Sequence, residues 1–591
     1  MCISTEKHYK IHVFIFAILS FCFLFYLPVE FINRLVAAAI CISILLNIKN
    51  LKFEFSQWHE KILFIAINAY LTLAFFGYDL FLANSLQINI MRFFIYGLSF
   101  IWTGYVLLSA LNLMEYLSSK VKTANASSNK RYWKKWLILF AIMCSVFMIW
   151  QRAFNPIVMS PDSWNYIAGW RTGTYNSFQS PVYTFFIYII CNIAPSAPEV
   201  QWVAFAQIIA FSSLLATVLM YFHIKWIRFR WLIPISIILP LIPSFGLHTI
   251  VIWCDLANGM SIMWLTYILV RVLDEVIIHD TASKKQQASF YIQLCISLIL
   301  CFFIRSNSFL VYLVMLPVLA LLFFCRKNWK LLATVSISVI MVLLINFGGY
   351  KALNVVVTPF NTQVKYFALI HDIQATYYRG GKLSERTQNA LLKYIPKLDE
   401  PEVRDRFIPD YVWYRNYDVS SDLTFGEFVS MYADSFIHNP FKMIRSMFYR
   451  CRAYWVIDPK GDIGCVNYIS IYNLFTNTYT SYAHEIGVSR QENILTRIMS
   501  YYMAFMITPV PAIFVWRFGF WVALMIISIM TLILQKKFIW LLAYLPVFTY
   551  LVTLLLAMGW TDYRYGLPVL FVGMFLPLTF ILRGRKAKNA E

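Results

Sequence analysis

Apolar residues run along this chain in long blocks, separated by short polar and often basic stretches. Two intervals, residues 152–199 and 350–497, break that rhythm. A helix needs about 17 to 25 apolar residues to cross a bilayer. By that measure the pattern predicts about 14 spans, near residues 11–27, 31–48, 61–78, 90–114, 134–151, 200–222, 231–246, 257–274, 288–304, 308–325, 331–349, 513–535, 538–558 and 565–582. Two further apolar stretches, 182–194 and 498–511, are predicted to lie on the outer surface as interfacial or re-entrant helices. Counted as spans, they place Arg564 inside and Lys536-Lys537 outside. Within the polar interval, helices are predicted from Ser384 to Tyr394 and from Phe425 to Ile437. The second breaks at Asn439-Pro440, where proline offers no amide hydrogen to continue a helix.

Composition excludes a soluble globular protein: 60% of residues are hydrophobic, 18% aromatic and only 13% charged. The predicted class is an all-α polytopic membrane protein with a small, mainly helical extracytoplasmic domain. In a soluble protein, 50 Lys and Arg against 29 Asp and Glu would suggest nucleic acid as a partner. Here the excess sits in clusters between apolar blocks, as cytoplasmic loops require. With the N-terminus inside, Lys49 and Lys52, Lys120 to Lys135, Lys225 to Arg230, Lys284-Lys285, Arg326 to Lys330, Lys536-Lys537 and Arg583 to Lys588 all face the cytoplasm. Both termini are then cytoplasmic, and the expected location is the cell inner (plasma) membrane. The first apolar stretch has no small-residue cleavage site and reads as a retained span.

The expected organisation is an N-terminal four-helix extension (1–130), a transmembrane core with outer loop 152–199 (131–349), an extracytoplasmic domain (350–497), and C-terminal spans with a basic tail (498–591). No solenoid repeat or low-complexity tract interrupts it. Of 11 cysteines, only Cys451 and Cys465 share a polar region, which leaves a disulfide open.

This topology gathers the unusual polar residues on one face. Asp162 follows the fifth span, Asp255 opens the eighth, Arg305 and Asn307 link the ninth and tenth, and Asp562 and Arg564 link the last two. Carboxylates and arginines at a lipid–water boundary suit a reaction in which a hydroxyl loses its proton while a lipid phosphate leaves. An arginine fork binds phosphate at two points, more strongly at low dielectric. Each residue also has a plainer reading. Ser160-Pro161-Asp162 is an ordinary helix start, Asp255 a first-turn acid, and Arg305 and Arg564 interfacial anchors. Trp164, Tyr166, Trp170 and Tyr175 suit either sugar stacking or the interfacial aromatic belt. His371-Asp372 and His438 lack metal-ligand spacing.

Ser160-Pro161-Asp162-Ser163, the downstream Ser180-Pro181, Trp253-Cys254-Asp255 and Arg305-Ser306-Asn307-Ser308 together resemble motifs of the lipid-dependent GT-C glycosyltransferases. That group includes protein O-mannosyltransferases, aminoarabinose transferases and related bacterial multi-span proteins. Cys254 and Ser308 depart from the pattern, Trp-Lys-Asp and Arg-Asn-Asn/Gly, and leave the acid and the arginine in place. The likeness covers roughly residues 134 to 582 and implies a GT-C-like fold.

It further implies inverting transfer of a sugar from a polyprenyl-phosphate donor to an envelope glycan, lipid or protein. Asp162 would be the base, Asp255 would orient a partner, Arg305 and Arg564 would hold the donor phosphate, and Trp164, Tyr166 and Asn307 would contact substrate. No cofactor is implied with certainty. Some relatives use a divalent metal, and no second acid near Asp162 in sequence demands one. The chain has no glycine-rich phosphate loop after a strand.

Two other classes stay open. A transporter or lipid-linked glycan flippase suits about 14 spans, although it should carry ionisable residues near the midplane of both halves. An O-antigen polymerase or ligase would rely on residues of the late loop such as His371, Arg379 and Arg386. Packing of the first outer loop against the late outer domain would favour the transferase.

Overall fold

The computed structural model describes residue 17 and residues 57–82, 90–120, 132–177, 180–356, 367–400, 424–457, 493–557 and 563–582. They are overwhelmingly helical, with no named strand among them. In chain order the principal helices are α1 (Trp58–Leu82), α2 (Ile90–Lys120), α3 (Tyr132–Ala153), α4 (Pro161–Thr172), α5 (Pro181–Asn192), α6 (Gln201–Lys225) and α7 (Phe229–Leu241). Then come α8 (Cys254–Val272), α9 (Lys284–Phe303), α10 (Phe309–Arg326), α11 (Trp329–Leu343), α12 (Phe367–Tyr378), α13 (Glu385–Tyr394), α14 (Phe425–His438) and α15 (Pro440–Arg450). The chain closes with α16 (Ile494–Met506), α17 (Pro509–Val515), α18 (Phe518–Leu534), α19 (Leu545–Ala557) and α20 (Leu567–Leu582).

Among the described residues, eight helices are long and apolar enough to cross a membrane. A ninth span forms if α7 is joined to Pro243–Ile250 across a 68° bend. The protein is therefore an all-α polytopic membrane protein. Of the 14 expected spans, those at 11–27 and 31–48 lie outside the described residues, residue 17 aside. Those at 61–78, 257–274 and 513–535 are helices α1, α8 and α18, which fall outside the eight. For α8 the reason is physical: it mixes Asp255, Asn258, Ser261 and Thr266 with apolar residues and is buried along nearly its whole length. It is the hub of the bundle, packing against α6, α9, α19 and α20. A helix surrounded by protein has no need to be apolar on every face.

The two stretches set apart as non-spanning form short helices. α5 has 12 residues and α16 has 13, about 18 to 20 Å at 1.5 Å per residue and short of a hydrocarbon core. α16 is pinned by its cap: Asn493 Oδ1 accepts from the Thr496 backbone amide, and the Asn493 side-chain Nδ2 donates to the Arg152 carbonyl at the end of α3 (3.0 Å).

Helices α12 to α15 form a small helical domain within the interval expected to lie outside the membrane, with a core of Ile370, Ile373, Leu391, Tyr394, Phe428, Met431 and Met443. Its two predicted helices form, and the structure adds their caps: Ser384 before α13, and Thr424 with Glu427 in a reciprocal capping box before α14. Asn439-Pro440 ends α14, and Pro440 opens α15. The domain rests on α19 and α1. A buried ion pair within it also reaches the bundle through its arginine. Arg450 Nε and Nη2 donate to Asp372 (2.9 and 2.7 Å), and Nη2 also donates to the Leu555 carbonyl in α19 (2.9 Å). Cys451 is a free, fully buried thiol with Sγ 3.8 Å from the Leu554 carbonyl, so it forms no disulfide here; Cys465 lies outside the described residues.

Candidate functional site

The loop before α4 and the loop before α8 run side by side. The Val158 amide donates to Ile250 O (2.9 Å), and Val158 pairs with Val251 in a parallel bridge. Ser160 caps α4 in a capping box with Ser163, Pro161 fills the first turn, and Gly173 closes the helix at φ +66°. The same two serines also bind the second loop: Ser163 Oγ donates to Ile252 O (2.9 Å), and the Trp253 indole donates to Ser160 Oγ. The helix-cap reading of Ser160-Pro161 is therefore correct. It also fixes the start of α4, which carries Asp162, against the loop that leads to Asp255.

Two further ties bring in Arg305. Ser180 caps α5 and donates to Phe303 O at the end of α9 (3.0 Å), just before Arg305. Ser308 Oγ donates to Asn258 Oδ1 (2.6 Å), one turn into α8 from Asp255. The turn carrying Arg564 and Tyr565 ends at Gly566, where a Cβ would sit 2.2 Å from the Phe518 ring. Tyr550 Oη secures that turn by donating to Tyr565 O (2.9 Å).

The charged groups meet in two ion pairs, Arg564 Nη1 with Asp162 Oδ2 and Arg305 Nη1 with Asp255 Oδ1. Tyr565 joins them. Its ring lies 4.0 Å from the Arg305 guanidinium and 4.8 Å from that of Arg564, and its hydroxyl accepts from Arg564 Nη2 (3.0 Å). The Trp253 ring covers Arg564 at 4.8 Å. Side-chain exposure separates the acids: 35% for Asp162 against 4% for Asp255, with Arg305 at 14% and Arg564 at 9%. Asp162 is thus the acid an incoming molecule meets, while Asp255 is enclosed behind Arg305.

Of the other expected site residues, Trp164 and Tyr166 are buried in the packed core rather than presented to an opening. Tyr166 meets Tyr183 edge to face at 5.0 Å, and burial, with Cys254 and Asp162 beside it, holds its phenol well above the ordinary value. It serves as a wall. Asn307 lies in the short turn after Arg305, half-buried. Asp562 falls outside the described residues.

His371 is buried in α12 of the outer domain, and Arg379 donates to Ser446 Oγ (2.8 Å). Tyr565, Trp253 as a stacking partner, and His248, whose ring lies 5.9 Å from that of Trp253, were not singled out by sequence. Tyr565 follows Arg564 directly, which is the one signal that could have drawn attention to it. Among the described residues no group of three or more His, Cys, Asp or Glu is placed to hold a metal ion. No protein-family model, no curated protein and no solved structure matches the chain.

Proposed function

We propose that the protein is an integral-membrane glycosyltransferase that moves a sugar from a polyprenyl-phosphate donor to an envelope glycan, lipid or protein on the extracytoplasmic face. The observation that carries this reading is the meeting of Asp162, Arg564, Tyr565, Arg305 and Asp255, drawn from four separate parts of the chain. A second observation supports it. The first outer loop meets the start of the late outer segment: the Val356 amide donates to Tyr175 O (2.7 Å) and the Ser177 amide to Val356 O (3.0 Å).

In this reading Arg564 grips Oδ2 of Asp162, and the described residues give Oδ1 no hydrogen-bond partner, which leaves it for the acceptor hydroxyl. Asp162 takes the hydroxyl proton as the acceptor oxygen attacks the anomeric carbon. The bond from that carbon to the phosphate oxygen breaks on the opposite face, so configuration inverts, and the electron pair leaves with the lipid phosphate. Arg305, oriented by Asp255, neutralises the departing charge in a poorly hydrated setting.

The test uses the purified full chain with a panel of polyprenyl-phosphate sugars and envelope acceptors, and reads release of lipid phosphate together with the anomeric configuration of the product. Inverted product from at least one donor supports the reading. Lipid translocation in vesicles without any transfer would replace it with the flippase reading.

A further inference from the structure

Asn258 stands three residues after Asp255 in α8, so the two side chains leave the same face of the helix about one turn apart. It is fully buried, and its Oδ1 accepts from Ser308 Oγ at 2.6 Å. Ser308 in turn closes the short turn that begins at Arg305, its amide donating to the Arg305 carbonyl (3.0 Å). Arg305 itself is extended, at φ −148° and ψ 135°, between the end of α9 and that turn. Lying outside both helices, its side chain takes its direction from how the turn is held. Two hydroxyls hold it, Ser180 at the Phe303 carbonyl before Arg305 and Ser308 at Asn258 after it.

The second hold is to the helix that also carries Asp255. The ion pair cannot do this work alone. An arginine side chain is long enough to reach a carboxylate from many backbone positions, so pairing with Asp255 does not fix where the remaining guanidinium nitrogens point. The Asn258–Ser308 bond does, because it ties the arginine's turn to the acid's helix. It also carries a cost that packing does not explain. Asn258 Nδ2 is buried with no acceptor among the described residues. A half-satisfied carboxamide in a core is worse than an apolar side chain of its size, and such costs collect at functional sites.

We propose that Asn258 is a positioning residue of the site. Through Ser308 it holds the turn of Arg305 in register with Asp255, so that the guanidinium nitrogens not engaged by Asp255 stay aimed at the donor phosphate. The place of the phosphate rests on the glycosyltransferase reading; the hold on Arg305 does not.

The test uses the purified full chain in nanodiscs and phenylglyoxal, which modifies accessible guanidinium groups, with the modified arginines mapped by mass spectrometry. Arg305 should react slowly in the unaltered protein. Asn258→Leu, similar in size but without the acceptor, and Ser308→Ala should each speed its modification roughly tenfold, the effect of losing one buried bond. Arg450, fully buried in the outer domain, should stay unmodified as the mark of an intact fold. Should Asn258→Leu expose Arg450 as well, Ser308→Ala, the smaller change, decides. The double variant should react no faster than Asn258→Leu alone, because both changes remove the same bond. Unchanged modification of Arg305 in Ser308→Ala, or effects that multiply in the double variant, would overturn the proposal. With the lipid donor, the same variants should raise KM more than they lower kcat. Faster modification of Arg305 at an unaltered donor KM would keep the hold and move the phosphate elsewhere. Faster modification in a protein that transfers sugar from no donor would keep the hold and sink the glycosyltransferase reading.

Discussion

Of the two acids at the site, exposure decides which can act. Asp162 is accessible and Asp255 is enclosed, so Asp162→Asn, which keeps the shape of the side chain but cannot accept a proton, should lower turnover by roughly 10²- to 10⁴-fold with little change in donor binding. Single-turnover transfer and lipid binding measured on the same preparation check this. Full activity in well-folded Asp162→Asn would leave Ser160-Pro161-Asp162 as a helix start and nothing more. If Arg305 holds the donor phosphate as proposed, Arg305→Ala should act chiefly on the donor, raising its KM more than it lowers kcat, because such a contact is made in ground and transition states alike. Tyr565→Leu removes the ring that Arg305 and Arg564 share and the hydroxyl that receives Arg564 Nη2, and should shift the same donor KM by a smaller factor. An unchanged KM in both variants would move the phosphate away from this pair.

Local signals made the helix starts readable, and long-range contact made the site unreadable. The cap at Ser160 and the break at Asn439-Pro440 are written within a few residues and were legible, and the caps at Ser180 and Ser384, equally local, went unread. The partnership of Asp162 with Arg564 spans 402 positions, and no periodicity encodes it. Hydropathy also undervalues α8, because the helix at the centre of a bundle is the one free to carry polar residues. Ser160 lies on both sides of this divide: its cap is legible, while its bond from Trp253 is not. Ser160→Ala should therefore cost about 1 kcal/mol from the cap, with a further loss from the broken bond to the Trp253 indole. Its unfolding midpoint should fall below that of Asp162→Asn. Equal midpoints would mean that the serine does not hold the two loops together.

At the scale of the whole molecule, the orientation in the membrane and the attachment of the outer domain are separate questions with separate tests. The basic clusters predict that cysteines introduced at Lys130 and Lys536 label only from the cytoplasm, and those at Asp162 and Arg564 only from outside. Cytoplasmic labelling at position 564 would split the site between two faces. Attachment depends on Arg450, which is fully buried, holds Asp372 at two points and reaches the Leu555 carbonyl in α19. Removing one member leaves the other charge buried and uncompensated, so Arg450→Leu should destabilise the protein by about 3 to 5 kcal/mol. Replacing both members should cost much less, because the double variant Asp372→Leu/Arg450→Leu leaves no charge in that core and gives up mainly the bond to Leu555. Denaturant unfolding of the two single variants and the double variant reads this directly. If the double variant is as unstable as Arg450→Leu, the bond to Leu555 dominates. The pair would then serve to fasten the outer domain to α19 rather than to satisfy the core of the domain.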